Sequence, residues 1–318
     1  MATKKLMKPA VSINLCCYNS EKYLRETLQS VVEQTYKDWE LVIINDGSSD
    51  STESIISEYI RHGYPIIYHC QANKGLGASR NEALKISSGE YIAFLDHDDI
   101  WLPEKLEKQI PLFNNPKIGL VFSDVFSFNM KGDVRRLYQN IMPARGRVFK
   151  ELLRNYFLFI PTVIVRKEAI HSLSEWFDER LTINEEADLF IRLAYNWEFD
   201  FINEPLAKWR VHSESLTWRK KELIPQETEI MLNKYISSIP NFQGDFKEEA
   251  ELFRMKILKQ RALLEWEKGR ANLLREMLQP YIREDGNSLI LYLFSYLPFK
   301  FFNPLFEKYK KSKGLVTP

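Results

Sequence analysis

Short apolar runs alternate with stretches of helical spacing along the first third of the chain, and this alternation restricts the fold more than any other feature. The predicted strands cover 11–16, 41–44, 66–68 and 91–95, and the predicted helices cover 20–34, 51–60 and 75–87. Strands and helices that alternate at this spacing favour a parallel sheet with helices on both faces. Because ligands of such sheets bind beyond the carboxyl ends of the strands, we expect a site at that edge.

Polar residues follow three of the predicted strands where they end. They are Tyr18 and Asn19 after the first strand, Asp46 and Gly47 after the second, and the run Asp96–Asp99 after the fourth. The carboxylates crowded into that last run repel one another unless a cation lies among them. Oxygen ligands of this kind suit Mg²⁺ or Mn²⁺ bridging to a diphosphate. The alternative is a solvated acidic turn that caps the following helix.

Several motifs, in their order and spacing, resemble those of the family 2 glycosyltransferases. They read VSINLCCYN from residue 11, LQSVVEQT from 28, LVIINDGSSDST from 41, NKGLGASRN from 73 and GEYIAFLDHDDIWLP from 89. The resemblance implies an α/β fold of the GT-A type, that is, a Rossmann-like nucleotide-diphospho-sugar transferase domain. It also implies a diphosphate site assisted by Mn²⁺ or Mg²⁺, and inversion at the anomeric carbon. The chain departs from the family at Cys16 and Cys17, where Pro-Thr or Pro-Ser is common, and at Glu53.

The resemblance assigns donor-binding roles position by position. The residues so assigned are Tyr18, Asn19, Asp46, Gly47, Lys74, Arg80, Asp96 and Arg210. Among them, Asp46 resembles the carboxylate that hydrogen-bonds the nucleotide base, and Lys74 and Arg80 belong to the segment near the phosphates. Asp98 is the implied metal ligand, whereas Asp96 is implied to contact the ribose or a metal-bound water.

The segment NEEADLF resembles the family's Glu-Asp-x-Asp-Leu element and places Glu186 at the position of the catalytic base, which is normally Asp. Helical geometry agrees, because Glu186 extends the core-facing stripe of Leu189 and Leu193. Asp188 instead precedes Arg192 at a spacing typical of a surface salt bridge. We therefore interpret Glu186 as the base and Asp188 as the second catalytic candidate. The alternative is that these acidic residues only stabilise the first turn of a helix.

The segment Trp209-Arg210-Val211-His212 resembles the family's aromatic-Arg-x-His element. The resemblance implies that His212 contacts the metal or the diphosphate, and that Arg210 offsets the charge of the leaving group. A lone histidine after a strand more often has a structural role, and that alternative stays open for His212.

The character of the sequence changes after His212, and we place a domain boundary near Arg219. Residues 1–219 are the predicted GT-A domain, with a nucleotide-sugar half (1–100) and an acceptor and catalytic half (101–219). Residues 220–318 are a predicted C-terminal α-helical appendage, because amphipathic helical spacing recurs at 227–236, 246–269 and 271–281.

The last part of the chain is strongly apolar and then basic. Residues 288–306 read SLILYLFSYLPFKFFNPLF, and Lys308, Lys310, Lys311 and Lys313 follow. Prolines interrupt the segment, and its unbroken apolar part is too short to span a bilayer. Because an aromatic segment beside basic residues suits an anionic membrane surface, we predict peripheral membrane contact through 288–313. The alternative is a helix packed in a core or at the interface of a homodimer.

Net charge and cysteine content narrow the partners and the compartment. A formal net charge of +1 gives no field that would attract nucleic acid. The cysteines are odd in number and two are adjacent, so they do not suggest a disulfide framework. They favour a reducing, cytoplasmic location, with the apolar tail at the inner face of the cell membrane.

Together these features predict an inverting, metal-dependent glycosyltransferase in cell-surface glycan biosynthesis. The donor is a nucleotide-diphospho-sugar, with a preference for UDP-sugar, and the acceptor is a hydroxyl of a glycan or a lipid-linked molecule. Two other classes stay open, a nucleotidyltransferase and a non-catalytic nucleotide-sugar-binding scaffold. A Rossmann dehydrogenase is disfavoured, because Gly75 and Gly77 follow the third strand and Arg80 stands where a third glycine is required.

Overall fold

A computed structural model describes residues 8–139, 142–302 and 304 of the chain. Across those ranges, nine strands belong to a single sheet. They are β1 (Val11–Cys17), β2 (Trp39–Asn45), β3 (Ile66–Cys70), β4 (Tyr91–Asp96), β5 (Ile100–Trp101), β6 (Ile118–Asn129), β7 (Val134–Arg136), β8 (Ile164–Arg166) and β9 (Glu198–Val211). Their order in the sheet is β3-β2-β1-β4-β8-β6-β9-β5, and β7 pairs with β6.

The strands of the first third of the chain, β1 to β4, pair in parallel, which confirms the prediction. β8 pairs antiparallel with both β4 and β6, so the sheet changes from parallel to mixed beyond β4. In the register of the parallel half, Cys17 lies opposite Asn45 of β2, and Cys16 lies opposite Asp96 of β4. The three strand ends, with the polar residues that follow them, therefore meet at one edge of the sheet.

The helices predicted for the first third of the chain are present, with small differences at their ends. The helices of the described residues are α1 (Leu24–Val32), α2 (Thr52–Arg61), α3 (Leu76–Ile86), α4 (Lys105–Gln109), α5 (Phe149–Arg154), α6 (Lys167–His171), α7 (Glu185–Asn196), α8 (Leu216–Arg219), α9 (Ile224–Ser238), α10 (Phe242–Asp245), α11 (Lys247–Glu267), α12 (Ala271–Leu278) and α13 (Gly286–Phe294). α1 begins at Leu24 rather than at Ser20, because the Ser20 backbone N–H donates to Thr52 Oγ1 at 2.8 Å and holds the preceding turn against α2.

Apolar side chains cover both faces of the parallel strands. On one face, Ile13 and Ile43 belong to a core that also takes in Leu28 of α1 and Ile56 of α2. On the other face, Val42, Ile44 and Cys16 pack against Ala83 of α3. Cys17 is buried as well, but Cys70 of β3 is exposed. The reason is that β3 lies at the end of the strand order, where one side of the strand has no neighbour.

The chain divides into two compact units. The first combines Met1–Phe149 with Tyr156–Arg210, and the second combines Lys150–Asn155 with Val211–Pro318. This division falls after Arg210, ahead of the boundary predicted near Arg219. The functional assignment of these parts stays a prediction.

The second unit is helical, in agreement with the amphipathic spacing of its sequence. The helices predicted at 227–236, 246–269 and 271–281 correspond to α9, α11 and α12. Trp266 of α11 and Leu274 and Leu278 of α12 are the centre of its core near the C-terminal end. Over the described residues, no helix combines the length and the apolar character needed to cross a bilayer.

Candidate active site

Asp46, the residue after β2, holds the loop that leads into α3. Its Oδ1 accepts hydrogen bonds from Gln71 Nε2 at 2.8 Å and from the Lys74 backbone N–H at 2.9 Å. Its Oδ2 accepts from the Gly75 backbone N–H at 2.9 Å. The side chain is buried, so this carboxylate acts first as a brace for residues 71–75. The base contact assigned to Asp46 by resemblance stays a prediction.

Gly47 lies where only glycine fits the backbone. Its φ is +77°, and an added Cβ would come within 3.0 Å of the Asn73 backbone nitrogen. The neighbouring loop is tied to this turn, because Asn19 Oδ1 accepts from the Ser49 backbone N–H at 2.9 Å. The Tyr18 side chain beside it is 51% exposed. The ends of β1 and β2 thus form one fixed turn with an aromatic ring open to solvent.

Arg80 of α3 links the end of β4 to the start of α7. Its guanidinium bonds to Asp96 Oδ1 at 2.8 Å and to the Glu185 carboxylate, and Glu186 Oε2 lies 3.9 Å away. Its side chain is only 4% exposed, and that of Glu185 only 3%. Burial lowers the pKa of Arg80, but the three carboxylates outweigh burial and raise it. Arg80 therefore stays charged and joins residues far apart in sequence.

Glu186, in the first turn of α7, has an environment that favours the protonated carboxyl. Burial, and to a smaller extent the charges of Glu185 and Asp96, raises its pKa from 4.5 to about 8, against the opposing charge of Arg80. Its side chain keeps 20% exposure, so it can still reach a bound molecule. A carboxylate with a pKa near the working pH is an effective general base.

Asp188, the second catalytic candidate, is bound to Arg192 at 2.7 Å, as the i+4 spacing predicts. The expectation of a surface location was wrong, since Asp188 is fully buried and Arg192 is 10% exposed. The reason is that the chain before α7 covers the pair, and Arg192 also donates to the backbone carbonyls of Glu175 and Trp176. The ion pair therefore anchors α7.

The acidic loop after β4 is fastened from two sides. The Thr27 hydroxyl of α1 bonds to the carbonyls of His97 and Asp99, at 2.9 and 2.8 Å. Arg210 of β9 donates its backbone N–H to Asp99 Oδ1 at 2.8 Å and its Nε to the Asp98 carbonyl at 2.7 Å. Burial raises the pKa of Asp99 well above its usual range, and Asp98 and Asp96 raise it further. Asp96 and Asp98 therefore lie close enough to Asp99 to disfavour a third negative charge at this loop.

The balance of charge at this edge fits a hard cation. The carboxyl groups are Asp96, Asp98, Asp99, Glu185, Glu186 and Glu26, and the cations are Arg80, which pairs with Asp96 and Glu185, and Arg210, which pairs with Glu26. Among the described residues, no three Asp, Glu, His or Cys side chains form a metal site by themselves. Mg²⁺, however, is commonly held by one or two carboxylates together with substrate phosphates, and this donor set fits that pattern. His212 lies beyond Arg210, in the second unit, and its metal contact stays a prediction.

Sequence reasoning gave no role to three residues that the structure brings to the site. Glu185 is the first acid of the α7 motif, and its position beside Glu186 was the available signal. Asp99 is the last carboxyl group of the loop after β4, and its place in the acidic run Asp96–Asp99 was the available signal. Tyr156 gave no signal; burial raises the pKa of its phenol, and the nearby Glu186 charge raises it further.

Comparisons with known proteins agree with this geometry. Residues 12–173 match glycosyl transferase family 2. An uncharacterized glycosyltransferase of Methanocaldococcus jannaschii is 36% identical over 209 residues, which are 64% of this chain and 71% of that protein. The Escherichia coli protein WfgD, named as a UDP-Glc:α-D-GlcNAc-diphosphoundecaprenol β-1,3-glucosyltransferase, is 28% identical over 223 residues, 70% of this chain and 85% of that protein.

A solved structure shows the same fold at low sequence identity. It is the mannosyltransferase PcManGT of Pyrobaculum calidifontis in complex with GDP-Man and Mn²⁺. The TM-score is 0.62 at 16% identity, over 93% of this chain and 84% of that one. The predicted α/β fold with C-terminal helices is thereby confirmed. From the family match and this fold, the chain belongs to glycosyl transferase family 2 and has the GT-A architecture.

Proposed function

We propose that this protein transfers a sugar with inversion from a nucleotide-diphospho-sugar, with UDP-sugar preferred, to a hydroxyl of a glycan or lipid-linked acceptor. The observation that carries this proposal is the placement of Glu186, a carboxyl with a raised pKa, beside the Arg80 link to the end of β4. The name of WfgD, with a UDP-sugar donor and a lipid-diphosphate acceptor, supports the choice of substrates. We place the reaction in the cytoplasm, in the synthesis of cell-surface glycans.

The donor would bind at the edge where β1, β2 and β4 end. The half-exposed ring of Tyr18 can stack on the base, and the fixed turn of Asn19, Asp46 and Gly47 gives the base a rigid floor. Lys74 is exposed on the loop that Asp46 braces, where its ammonium can meet a phosphate. Arg210 lies against the acidic loop and can offset charge on the departing diphosphate.

Asp98 is the residue that would hold Mn²⁺ or Mg²⁺, with His212 as a further contact, and Asp96 would contact the ribose or a metal-bound water. When bound, such a cation neutralises charge on the diphosphate and makes it a better leaving group. Arg80 holds the Asp96 carboxylate in place by a bond of 2.8 Å. The complex of PcManGT with Mn²⁺ supports the assignment of a divalent metal.

Glu186 would then accept the proton of the acceptor hydroxyl. The oxygen attacks the anomeric carbon from the face opposite the diphosphate, and the C1–O bond to the diphosphate breaks with its electron pair. One displacement of this kind inverts the configuration. Glu185 and Arg80 position the base, and Asp188 anchors the helix that carries it.

The test is a panel of nucleotide sugars, with and without Mn²⁺ or Mg²⁺, on the wild type, Asp98→Ala, Glu186→Gln and the exposed control Glu168→Gln. We expect metal-dependent release of a nucleoside diphosphate, lost in the first two variants and retained in the control. NMR of the product should show an inverted anomeric centre.

Three outcomes would contradict the proposal. Full activity of Asp98→Ala would show that Asp98 does not hold a metal that the reaction needs. Release of pyrophosphate would indicate a nucleotidyltransferase. Donor binding by calorimetry with no turnover on any acceptor would indicate a scaffold that binds nucleotide sugars.

A further inference from the structure

The C-terminal end of the second unit exposes a cluster of large apolar side chains. We call this cluster the tail face, and its members are Leu289, Ile290, Leu293, Phe294, Tyr296, Leu297 and Phe301. Each is between 37% and 65% exposed. Single exposed apolar residues are ordinary on protein surfaces, but a contiguous group on one short segment marks an interaction site.

The same segment is firmly attached through its other side. Phe302 packs on Trp266 with ring centroids 4.6 Å apart, and Trp266 Nε1 donates to the Leu297 carbonyl at 3.1 Å. Arg275 donates to the Ser295 carbonyl at 2.8 Å, and its guanidinium lies 4.6 Å from the centre of the Tyr296 ring. The backbone is thus held in place while the tail face is directed to solvent.

The start of the segment is fixed in the same way. Asp285 caps α13 by accepting from the Ser288 backbone N–H at 2.8 Å, and Lys259 of α11 lies 3.3 Å from the same carboxylate. The tail face is therefore presented on an ordered helix and turn, with its shape set before any partner binds. Binding to it would require little ordering of the chain.

Charge identifies the partner. Residues 296–318, which cover the end of the tail face and the sequence that follows it, contain five lysines and one glutamate, a net excess of four positive charges. Lys300 is exposed between the tail-face members Leu297 and Phe301, and Lys308, Lys310, Lys311 and Lys313 lie outside the described residues. Basic residues near an anionic bilayer are attracted to its negative surface potential. A second copy of the chain would bring a second set of these lysines and would meet repulsion.

We propose that the tail face inserts shallowly into the headgroup region of an anionic lipid bilayer, with the exposed Lys300 at the lipid phosphates. Aromatic residues are common in this segment and favour the boundary between water and acyl chains. No described helix is long and apolar enough to cross the bilayer, which agrees with peripheral and reversible contact. The tail face takes no part in the transfer chemistry. If the membrane proposal were wrong, the proposed reaction would therefore be unaffected.

The experiment is co-sedimentation of the full chain with vesicles of phosphatidylcholine alone or mixed with phosphatidylglycerol. We expect binding to the mixed vesicles only, weakened by high salt because the lysines are screened. Leu293→Ser combined with Phe301→Ser should lower the partition coefficient by tenfold or more, because each substitution removes a large apolar side chain from the membrane contact. The matched control is Leu252→Ser, a leucine of α11 that is 50% exposed and lies outside the tail face.

A second variant separates lipid charge from apolar contact. Lys308→Gln with Lys310→Gln and Lys311→Gln should also weaken binding and remove most of the salt dependence. Equal binding to both vesicle types, or an equal loss with Leu252→Ser, would overturn the proposal. Absence of vesicle binding, together with a concentration-dependent dimer that Leu293→Ser abolishes, would assign the tail face to a second copy of the chain instead.

Discussion

The two units depart from the usual rules of burial in opposite ways. The first unit buries charged side chains, among them Arg80, Asp99, Glu185 and Asp188. The second unit exposes apolar side chains at the tail face, up to 65% for Tyr296. A buried ion costs several kcal/mol before its partners compensate, and exposed apolar surface forfeits about 25 cal/mol per Å².

The difference indicates which kind of partner each region fits. Several acidic side chains gathered at one edge of the sheet fit a cation and a charged donor, whereas exposed apolar surface fits a lipid or another apolar surface. Lys105 shows that burial of a charged residue is not sufficient evidence. Its Nζ meets Gln109 Oε1 and the ring of Trp101, and burial alone lowers its pKa well below the usual range. A buried group that is satisfied by neutral neighbours carries no such indication.

The largest effect should come from removing the base. Glu186→Gln keeps the size of the side chain but accepts no proton, so we expect kcat to fall by about 10² to 10⁴-fold. Single-turnover transfer rates at saturating donor measure this, with calorimetry to confirm that the donor still binds. Glu168→Gln on α6 should remain close to wild type. A loss of less than tenfold would place the base elsewhere and weaken the link between buried charge and catalysis.

Removal of the buried cation should have the next largest effect, on stability. Arg80→Met removes the guanidinium that bonds to both Glu185 and Asp96, and we expect the free energy of unfolding in urea to fall by about 3–5 kcal/mol. Arg25→Met is the matched control, because Arg25 and Glu58 are 56% and 40% exposed and such pairs contribute at most about 1 kcal/mol. Adding Glu185→Leu to Arg80→Met should recover part of the loss. If Arg80→Met and Arg25→Met lowered the free energy of unfolding equally, burial of the charge would make no difference to stability.

A smaller effect is expected in the pH profile. Glu186 must be ionised to accept a proton, so kcat/KM should rise as the pH passes through about 8. The Glu185 charge raises the pKa of Glu186, so Glu185→Gln should move this rise to lower pH. Because the folded-state pKa lies above the ordinary 4.5, Glu186 also makes the free energy of unfolding fall as pH rises from 4.5 through 8. If Glu185→Gln had the same pH profile of kcat/KM as the wild type, the two carboxyl groups would not interact.

The smallest effect concerns the stability of the second unit. Leu293→Ser on the tail face should change the free energy of unfolding by no more than about 0.5 kcal/mol, because its side chain is 58% exposed. Leu278→Ala in the core of the same unit, fully buried, should cost about 2–5 kcal/mol. Chemical denaturation measures both. A large loss with Leu293→Ser would mean that the protein itself covers this side chain in solution.

Much of the fold was predictable because the signals are local. The parallel strands are continuous apolar runs. In the helices between them, apolar residues recur at a spacing that places them on one face only if the segment is helical. The turn at Gly47 is likewise marked by its own residues, Asp46-Gly47-Ser48. The family motifs also pointed to Glu186 and Asp98, since each stands at a fixed place after a strand or at a helix start.

The sequence by itself thus determined the order of strands and helices, the polar residues at the strand ends and the apolar, basic tail. Only the tertiary structure decided that Arg80 bonds Glu185 across 105 residues, that the ion pair of Asp188 is buried, and that the pKa of Glu186 is raised to about 8. It also decided which side chains of the tail pack on Trp266 and which stay exposed. The physical reason is that burial and interactions between charges depend on residues brought together from distant parts of the chain. The periodicity of a helix or strand, in contrast, is contained in a single segment of the sequence.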